Sequence, residues 1–158
     1  MIDGVVVKEL KVFKDIPDIP EAKIQPGFLM EVLRADDKLM TKFGQTVFTV
    51  TYPGTIKAWH WHSKQDDLWF VATGKARVVL YDQRQESKTH GQTEIIMAGQ
   101  DDYKLILIPA GVAHGYQVLS QEPVLLFYHT TELYDKNNLD EQRIPYNDPT
   151  INFDWAKV

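Results

Sequence analysis

The sequence predicts an all-β sandwich or barrel with few, short helices, and three observations carry that prediction. Short runs rich in Val, Ile, Thr, Tyr, Phe and Trp recur at 45–52, 55–62, 68–72, 75–81, 93–97, 103–108, 114–119 and 124–130. Turn residues punctuate them. No stretch of comparable length carries a helical repeat, although 29–40 fits a strand followed by a short helical turn. A chain of 158 residues without internal repeat, low-complexity segment or composition break reads as one domain, 1–158.

Taken in order, the elements follow from these signals. "GVVVKEL" near the N-terminus is apolar enough for an edge strand. "QTVFTVTY" ends at Pro53-Gly54, a turn pair, and "TIKAWHWH" follows it. "LWFVA" closes on Thr73-Gly74, after which "KARVVLY" begins. The polar segment "YDQRQESKTHGQTE" reads as a surface loop leading into "TEIIM". "YKLILI" is stopped by Pro109 and Gly111; "HGYQVL" and "VLLFYHT" complete the set. The remaining "LYDKNNLDEQRIPYNDPTINFDW" is irregular and holds two prolines. Its Ile151, Phe153 and Trp155 are expected to dock onto a sheet.

Composition narrows the function. With 44% hydrophobic and 25% charged residues the chain is of the folding, globular type. Against 22 acidic residues stand 17 basic ones, a net charge of −5, and no block of Lys or Arg offers a stripe to a phosphate backbone. Nucleic acid is not an expected partner. The absence of cysteine excludes disulfides, thiolate catalysis and cysteine metal sites. The N-terminus shows no secretion leader and no run reaches membrane-spanning length, so a cytoplasmic protein without a membrane partner is expected.

The chemistry gathers in "KAWHWHSKQDDLWFVATG", residues 57–74. Strand alternation sends His60 and His62 to one face and Trp59 and Trp61 to the other. The bland alternative is a Trp-lined core with exposed histidines. Asp67 opens the next strand and His114 follows "PAGVA"; both reach the same cavity if these strands are neighbours. Three imidazoles and a carboxylate suit proton transfer or metal binding.

These residues resemble the two motifs of the cupin superfamily of jelly-roll barrels. Gly54, His60, His62, Asp67 and Gly74 fall on the first, with Asp in place of Glu. Pro109, Gly111 and His114 fall on the second, with Tyr103 and Val118 replacing its outer Gly and Asn. In metal-binding cupins this pattern holds Fe, Mn, Ni or Zn, which makes His60, His62, Asp67 and His114 one candidate ligand set.

A narrower resemblance spans about 26–155. "IPAGVAHGYQVLSQEPVLLFYHTTELYDKNN" and "RIPYNDPTINFDW" are similar to the dTDP-4-dehydrorhamnose 3,5-epimerases, cupins of rhamnose biosynthesis. The resemblance implies His60 as catalytic base and Tyr128 as catalytic acid. It implies Glu31, Gln45, Lys57, His62, His114 and Tyr134 as contacts to a nucleotide-linked 4-keto-6-deoxy sugar, with no cofactor required. Such cupins commonly form homodimers through an N-terminal strand, here "GVVVKEL".

Three departures accompany the match. Asp67 stands where the family has a catalytic lysine, Pro26 where it has a diphosphate-binding arginine, and His62 where it has Gln. The family's Lys-Asp pair, whose carboxylate partners the base, has no counterpart before Val158. The expected function is therefore a His/Tyr epimerase or isomerase. A divalent-metal cupin enzyme acting on a small carbonyl or sugar compound, and a non-catalytic sugar-nucleotide-binding barrel, are the alternatives. The dTDP-sugar 3,4-ketoisomerases, cupins with a His-x-His pair and no metal, lie between the first two.

Overall fold

The β-branched and aromatic runs form strands wherever their alternation gives each a face to bury. The computed structural model describes residues 1–15 and 26–157. The strands are β1 (Val6–Glu9), β2 (Val12–Lys14), β3 (Phe28–Met30), β4 (Gln45–Thr51), β5 (Ile56–His62) and β6 (Asp67–Thr73). They continue as β7 (Lys75–Asp82), β8 (Thr93–Gly99), β9 (Lys104–Ile108), β10 (Val112–Val118), β11 (Val124–Thr130) and β12 (Glu141–Arg143). A single 3-10 turn, Ala35–Asp37, is the one helical element among the described residues. The strand and short turn expected within 29–40 are both present.

Two five-stranded antiparallel sheets face each other as a jelly roll. One runs β1-β9-β6-β11-β4, the other β12-β5-β10-β7-β8, and β2 with β3 forms a separate ribbon. Alternation sorts the core: Trp69, Val71, Ile106 and Leu126 of the first sheet meet Val78, Leu80, Ile96 and Tyr116 of the second. At the β6–β7 turn Gly74 takes φ +70, and a Cβ there would lie 2.7 Å from the Pro123 carbonyl oxygen, so both conformation and space require glycine.

Both outer faces are partly covered as well. Trp59, Val79 and Tyr81 on the outside of the second sheet pack against Ile151 and Trp155 of the C-terminal tail, as the apolar tail residues led us to expect. Leu68, Phe70 and Leu105 on the outside of the first are covered by Met30, Val32, Leu33 and Leu39. Trp59 and Trp155 are 1% and 5% exposed, and burying such side chains contributes roughly 3 kcal/mol each. The tryptophan face of β5 is thus closed by the tail and not by the barrel interior. His62 and His114 are the buried pair inside, at 8% and 3%, which excludes a Trp-lined core with exposed histidines.

β1 is the edge strand the sequence suggests: Val6, Val7, Lys8 and Glu9 pair with Leu107, Ile106, Leu105 and Lys104 of β9 in the same chain, and β1 ends its sheet. Its β-branched residues find an open sheet edge at home. One element differs from expectation. The tail, expected to be irregular, contributes β12, whose Glu141, Gln142 and Arg143 pair with His62, Trp61 and His60 of β5.

Candidate active site

A cavity of about 410 Å³ opens between the two sheets, lined from β5 by Lys57, His60 and His62 and from β10 by His114 and Tyr116. The facing sheet supplies Asp67 and Trp69 from β6, Tyr128 from β11, and Gln45 and Thr49 from β4. Leu133, Tyr134, Asn138 and Glu141 of the tail border the mouth. Eight of the nine sequence-predicted site residues therefore share one cavity. Glu31 does not: it lies on the surface, half-exposed, and pairs with Arg34 Nη1 at 2.7 Å.

Plain alternation cannot place Lys57 and His60, three residues apart, on the same wall. A register shift does. His114 pairs with His60 while Tyr116 pairs with Lys57, so three residues of β10 oppose four of β5, which is a β-bulge. Gly115 faces the extra residue, and a Cβ on it would lie 2.5 Å from the Ala58 Cβ and 2.7 Å from the Lys57 carbonyl oxygen. Burial pushes the Lys57 ammonium down from its ordinary range, and its Nζ donates to Thr49 Oγ1 at 3.1 Å.

His60 acquires a carboxylate partner that sequence reasoning missed. Its Nδ1 lies 3.1 Å from Glu141 Oε1, an arrangement in which Nδ1–H donates and Nε2 is left with its lone pair. Burial acts to raise the Glu141 carboxyl, but the Arg143 hydrogen bond at 2.8 Å and the neighbouring imidazole outweigh it and hold the group below its usual range. Only the three-residue pairing of β12 with β5 brings these groups together across 81 positions of sequence. Asp140 anchors the same segment by accepting from the backbone N–H groups of Ser63, Lys64 and Gln65, each at 3.0 Å.

Deeper in, His114 Nδ1–H donates to the Val112 carbonyl at 3.0 Å. Burial lowers this imidazole to about 4, against an opposing pull from Asp67. Asp67, 3% exposed, accepts from Gln65 Nε2 at 2.7 Å and from Trp69 Nε1 at 3.1 Å. Of the four residues read as a metal set, His62, Asp67 and His114 bring ligand atoms within 4.8 Å of one another; His60 is outside that group and engaged by Glu141.

Tyr128 stands on the first sheet, across the cavity from His60 on the second. Burial raises its phenol above the ordinary range, and the Asp67 carboxylate adds to the shift. Gln45 Oε1 accepts the Tyr134 backbone N–H at 3.2 Å, holding that aromatic at the rim. The site thus offers a carboxylate-oriented imidazole on one wall, a phenol on the other, and the Lys57 amine beside the imidazole. That is what inversion of a carbon next to a carbonyl requires.

Comparison with known proteins shows the family to which this fold and sequence belong. A family model described as dTDP-4-dehydrorhamnose 3,5-epimerase matches residues 1–158, beyond the 26–155 in which the sequence resemblance lies. The spore coat polysaccharide biosynthesis protein SpsL of Bacillus subtilis is 49% identical, with 98% of this chain and 97% of that protein covered. A dTDP sugar isomerase from Desulfovibrio desulfuricans G20 superposes with a TM-score of 0.86 at 30% identity, over 99% of this chain and 94% of that one. A dTDP-6-deoxy-D-glucose-3,5-epimerase from Legionella pneumophila, solved in complex with dTDP-4-keto-L-rhamnose, gives 0.82 at 28% identity over 98% and 80%. The chain belongs to the dTDP-4-dehydrorhamnose 3,5-epimerase family.

Proposed function

We propose that this protein is an epimerase of a nucleotide-linked 4-keto-6-deoxy sugar, with His60 as base and Tyr128 as acid. The observation that carries the reading is the placement of a carboxylate-oriented imidazole and a buried phenol on opposite walls of one cavity. The ketone acidifies the hydrogens on its neighbouring carbons. His60 Nε2 removes one such proton, the electron pair moves to the ketone oxygen as an enolate, and Tyr128 delivers its hydroxyl proton to the opposite face of the carbon. Inversion follows from the change of face. Solvent then takes the proton from the imidazolium and returns one to the phenolate.

Lys57 donates to substrate oxygens beside His60, His62 and His114 line the sugar pocket, and Gln45 and Tyr134 receive the nucleotide end at the rim. Glu31 reaches the nucleotide in this reading only if the substrate extends along the surface beyond the mouth. The proton transfers need no cofactor. A dTDP sugar is the favoured substrate because the Legionella relative was solved with one. We place the reaction in the cytoplasm; among the described residues no helix is long and apolar enough to cross a membrane.

The expected homodimer belongs to the same reading. It is supported by β1, an edge strand of its sheet, and by Phe48, Val50 and Phe127, exposed on the outer face of β4 and β11. A sedimentation mass of one chain removes it.

The reaction is tested by incubating the protein with dTDP-4-keto-6-deoxyglucose in heavy water. Deuterium entering the carbons flanking the ketone, with inverted product, is expected; no exchange with this or related dTDP-4-keto sugars contradicts the assignment.

A further inference from the structure

Away from His60, three buried side chains turn acceptor atoms toward one another. His62 Nε2 and His114 Nε2 stand 3.9 and 3.7 Å from Asp67 Oδ2. The hydrogen bonds behind these atoms fix where the ring protons sit. A carbonyl oxygen only accepts, so His114 carries its hydrogen on Nδ1, against Val112, and presents the Nε2 lone pair to Asp67. Gln65 Nε2 lies 2.7 Å from Asp67 Oδ1 and 3.3 Å from His62 Nε2. A carboxylate also only accepts, so this atom is the amide nitrogen, and it faces the His62 Nε2 lone pair. A hydrogen on His62 Nε2 would be aimed at that amide donor, so the ring hydrogen sits on Nδ1, which has no protein partner. Two lone pairs and a carboxylate oxygen therefore converge in the interior, where Gln65 Nε2 and Trp69 Nε1 are their hydrogen-bond donors. At low local dielectric such like-signed ends repel, and a cation between them reverses the sign.

We infer that His62, Asp67 and His114 form a mononuclear site for a divalent transition-metal ion, bound through two imidazole Nε2 atoms and one carboxylate oxygen, with His60 not among its ligands. The donor set fits. Two nitrogens and one oxygen, with no thiolate, suit first-row divalent ions better than Ca²⁺ or Mg²⁺. Ligands about 2.1 Å from a tetrahedral ion lie about 3.4 Å apart, a few tenths of an ångström less than the two separations to Asp67, and all three ligand atoms lie within 4.8 Å of one another. Supporting groups already stand behind the ligands: the Val112 carbonyl fixes the His114 tautomer and Gln65 holds the other carboxylate oxygen. His60 is excluded because Glu141 holds its Nδ1 and because the three converging atoms do not include it. All three ligand residues line the cavity. The chemistry such an ion supplies is polarisation of a carbonyl oxygen, a positive charge where the family resemblance expects a lysine at position 67.

The inference concerns ion binding alone, so it stands or falls independently of the deuterium exchange that tests the epimerase reading. The test uses the full chain without a histidine tag, stripped with EDTA and titrated separately with Zn²⁺ and Mn²⁺ by calorimetry, with bound metal counted by elemental analysis. One equivalent of at least one of these ions per chain is expected, with a rise in melting temperature. Asp67→Asn is expected to weaken binding by more than about 100-fold, beyond the usual cost of losing a residue that supports a ligand. His60→Ala is expected to retain it. His62→Gln repeats the Asp67 test if Asp67→Asn does not fold. Absence of saturable binding in the folded wild-type chain overturns the inference, as does binding that survives Asp67→Asn or His62→Gln, or binding lost in His60→Ala.

Discussion

Replacing Glu141 by Gln leaves the shape of the site intact but removes the anion that accepts from His60 Nδ1 at 3.1 Å. The neutral amide can turn its NH₂ toward the ring and stabilise the wrong tautomer, with the proton on Nε2, where the base needs a lone pair. Glu141→Gln is therefore expected to lower kcat by about 10²-fold with little change in KM, the cost of misplacing a reacting group. Steady-state kinetics check the split. A fall in affinity alone would make Glu141 a substrate contact instead. Asp82 shows another kind of buried carboxylate, one bound up in structure. It is fully buried and accepts from Arg84, Ser87 and Thr89. Burial acts to raise its carboxyl, yet these bonds prevail and hold it below the ordinary carboxylate range. Because the folded-state value is depressed, this stabilisation is fully present above about pH 4 and is lost as pH falls below it. Asp82→Asn is expected to lower stability at pH 7 by about 3 kcal/mol, with the gap to wild type closing in acid. Melting temperatures measured from pH 7 to pH 2 show whether it closes.

At the scale of elements, the bulge in β5 does what alternation alone cannot. Alternation read from sequence correctly put His60 and His62 on one face and Trp59 on the other, because those positions lie on the regular side of the register shift. Lys57 lies beyond the shift, and the only local trace of it in the sequence is a glycine at 115, one of 9 in the chain, which by itself does not mark a bulge. Gly115→Ala drives a methyl against the Lys57 carbonyl and Ala58. A loss of about 1–3 kcal/mol is expected, with a larger proportional loss of activity because Lys57 and His60 both move. β12 was illegible for a different reason. Its three residues are exposed and charged or polar, with no alternation to betray a strand, and its pairing with β5 is wholly long-range. Asp140 fastens the loop just before it. Asp140→Ala strips the acceptor from three backbone N–H groups and is expected to raise KM more than it lowers kcat, since it loosens the rim segment that carries Tyr134. An unchanged KM would show that the rim does not gate substrate.

For the molecule as a whole, the fold was legible because every long strand carries its own signal: β-branched runs, turn pairs at Pro53-Gly54 and Thr73-Gly74, and an apolar tail to close the second sheet. That tail supports the site from behind. Trp155 packs on Trp59 with ring centroids 5.1 Å apart, on the outer side of the strand whose inner side carries His60 and His62. Trp155→Ala is expected to cost about 3–5 kcal/mol, read by chemical denaturation. The location of the cavity was legible too, since motif spacing brought the histidines and Asp67 together and the family resemblance added Tyr128. How protons and charges are arranged within it was not, because that depends on Glu141, Gln65 and the Val112 carbonyl, groups that no motif marks. The central claim, two proton carriers on opposite walls, is tested most directly by separating exchange from inversion. In heavy water, Tyr128→Phe is expected to incorporate deuterium next to the ketone through His60 while returning the starting configuration, and His60→Ala to do neither. Inverted product from Tyr128→Phe at the wild-type rate would contradict the account.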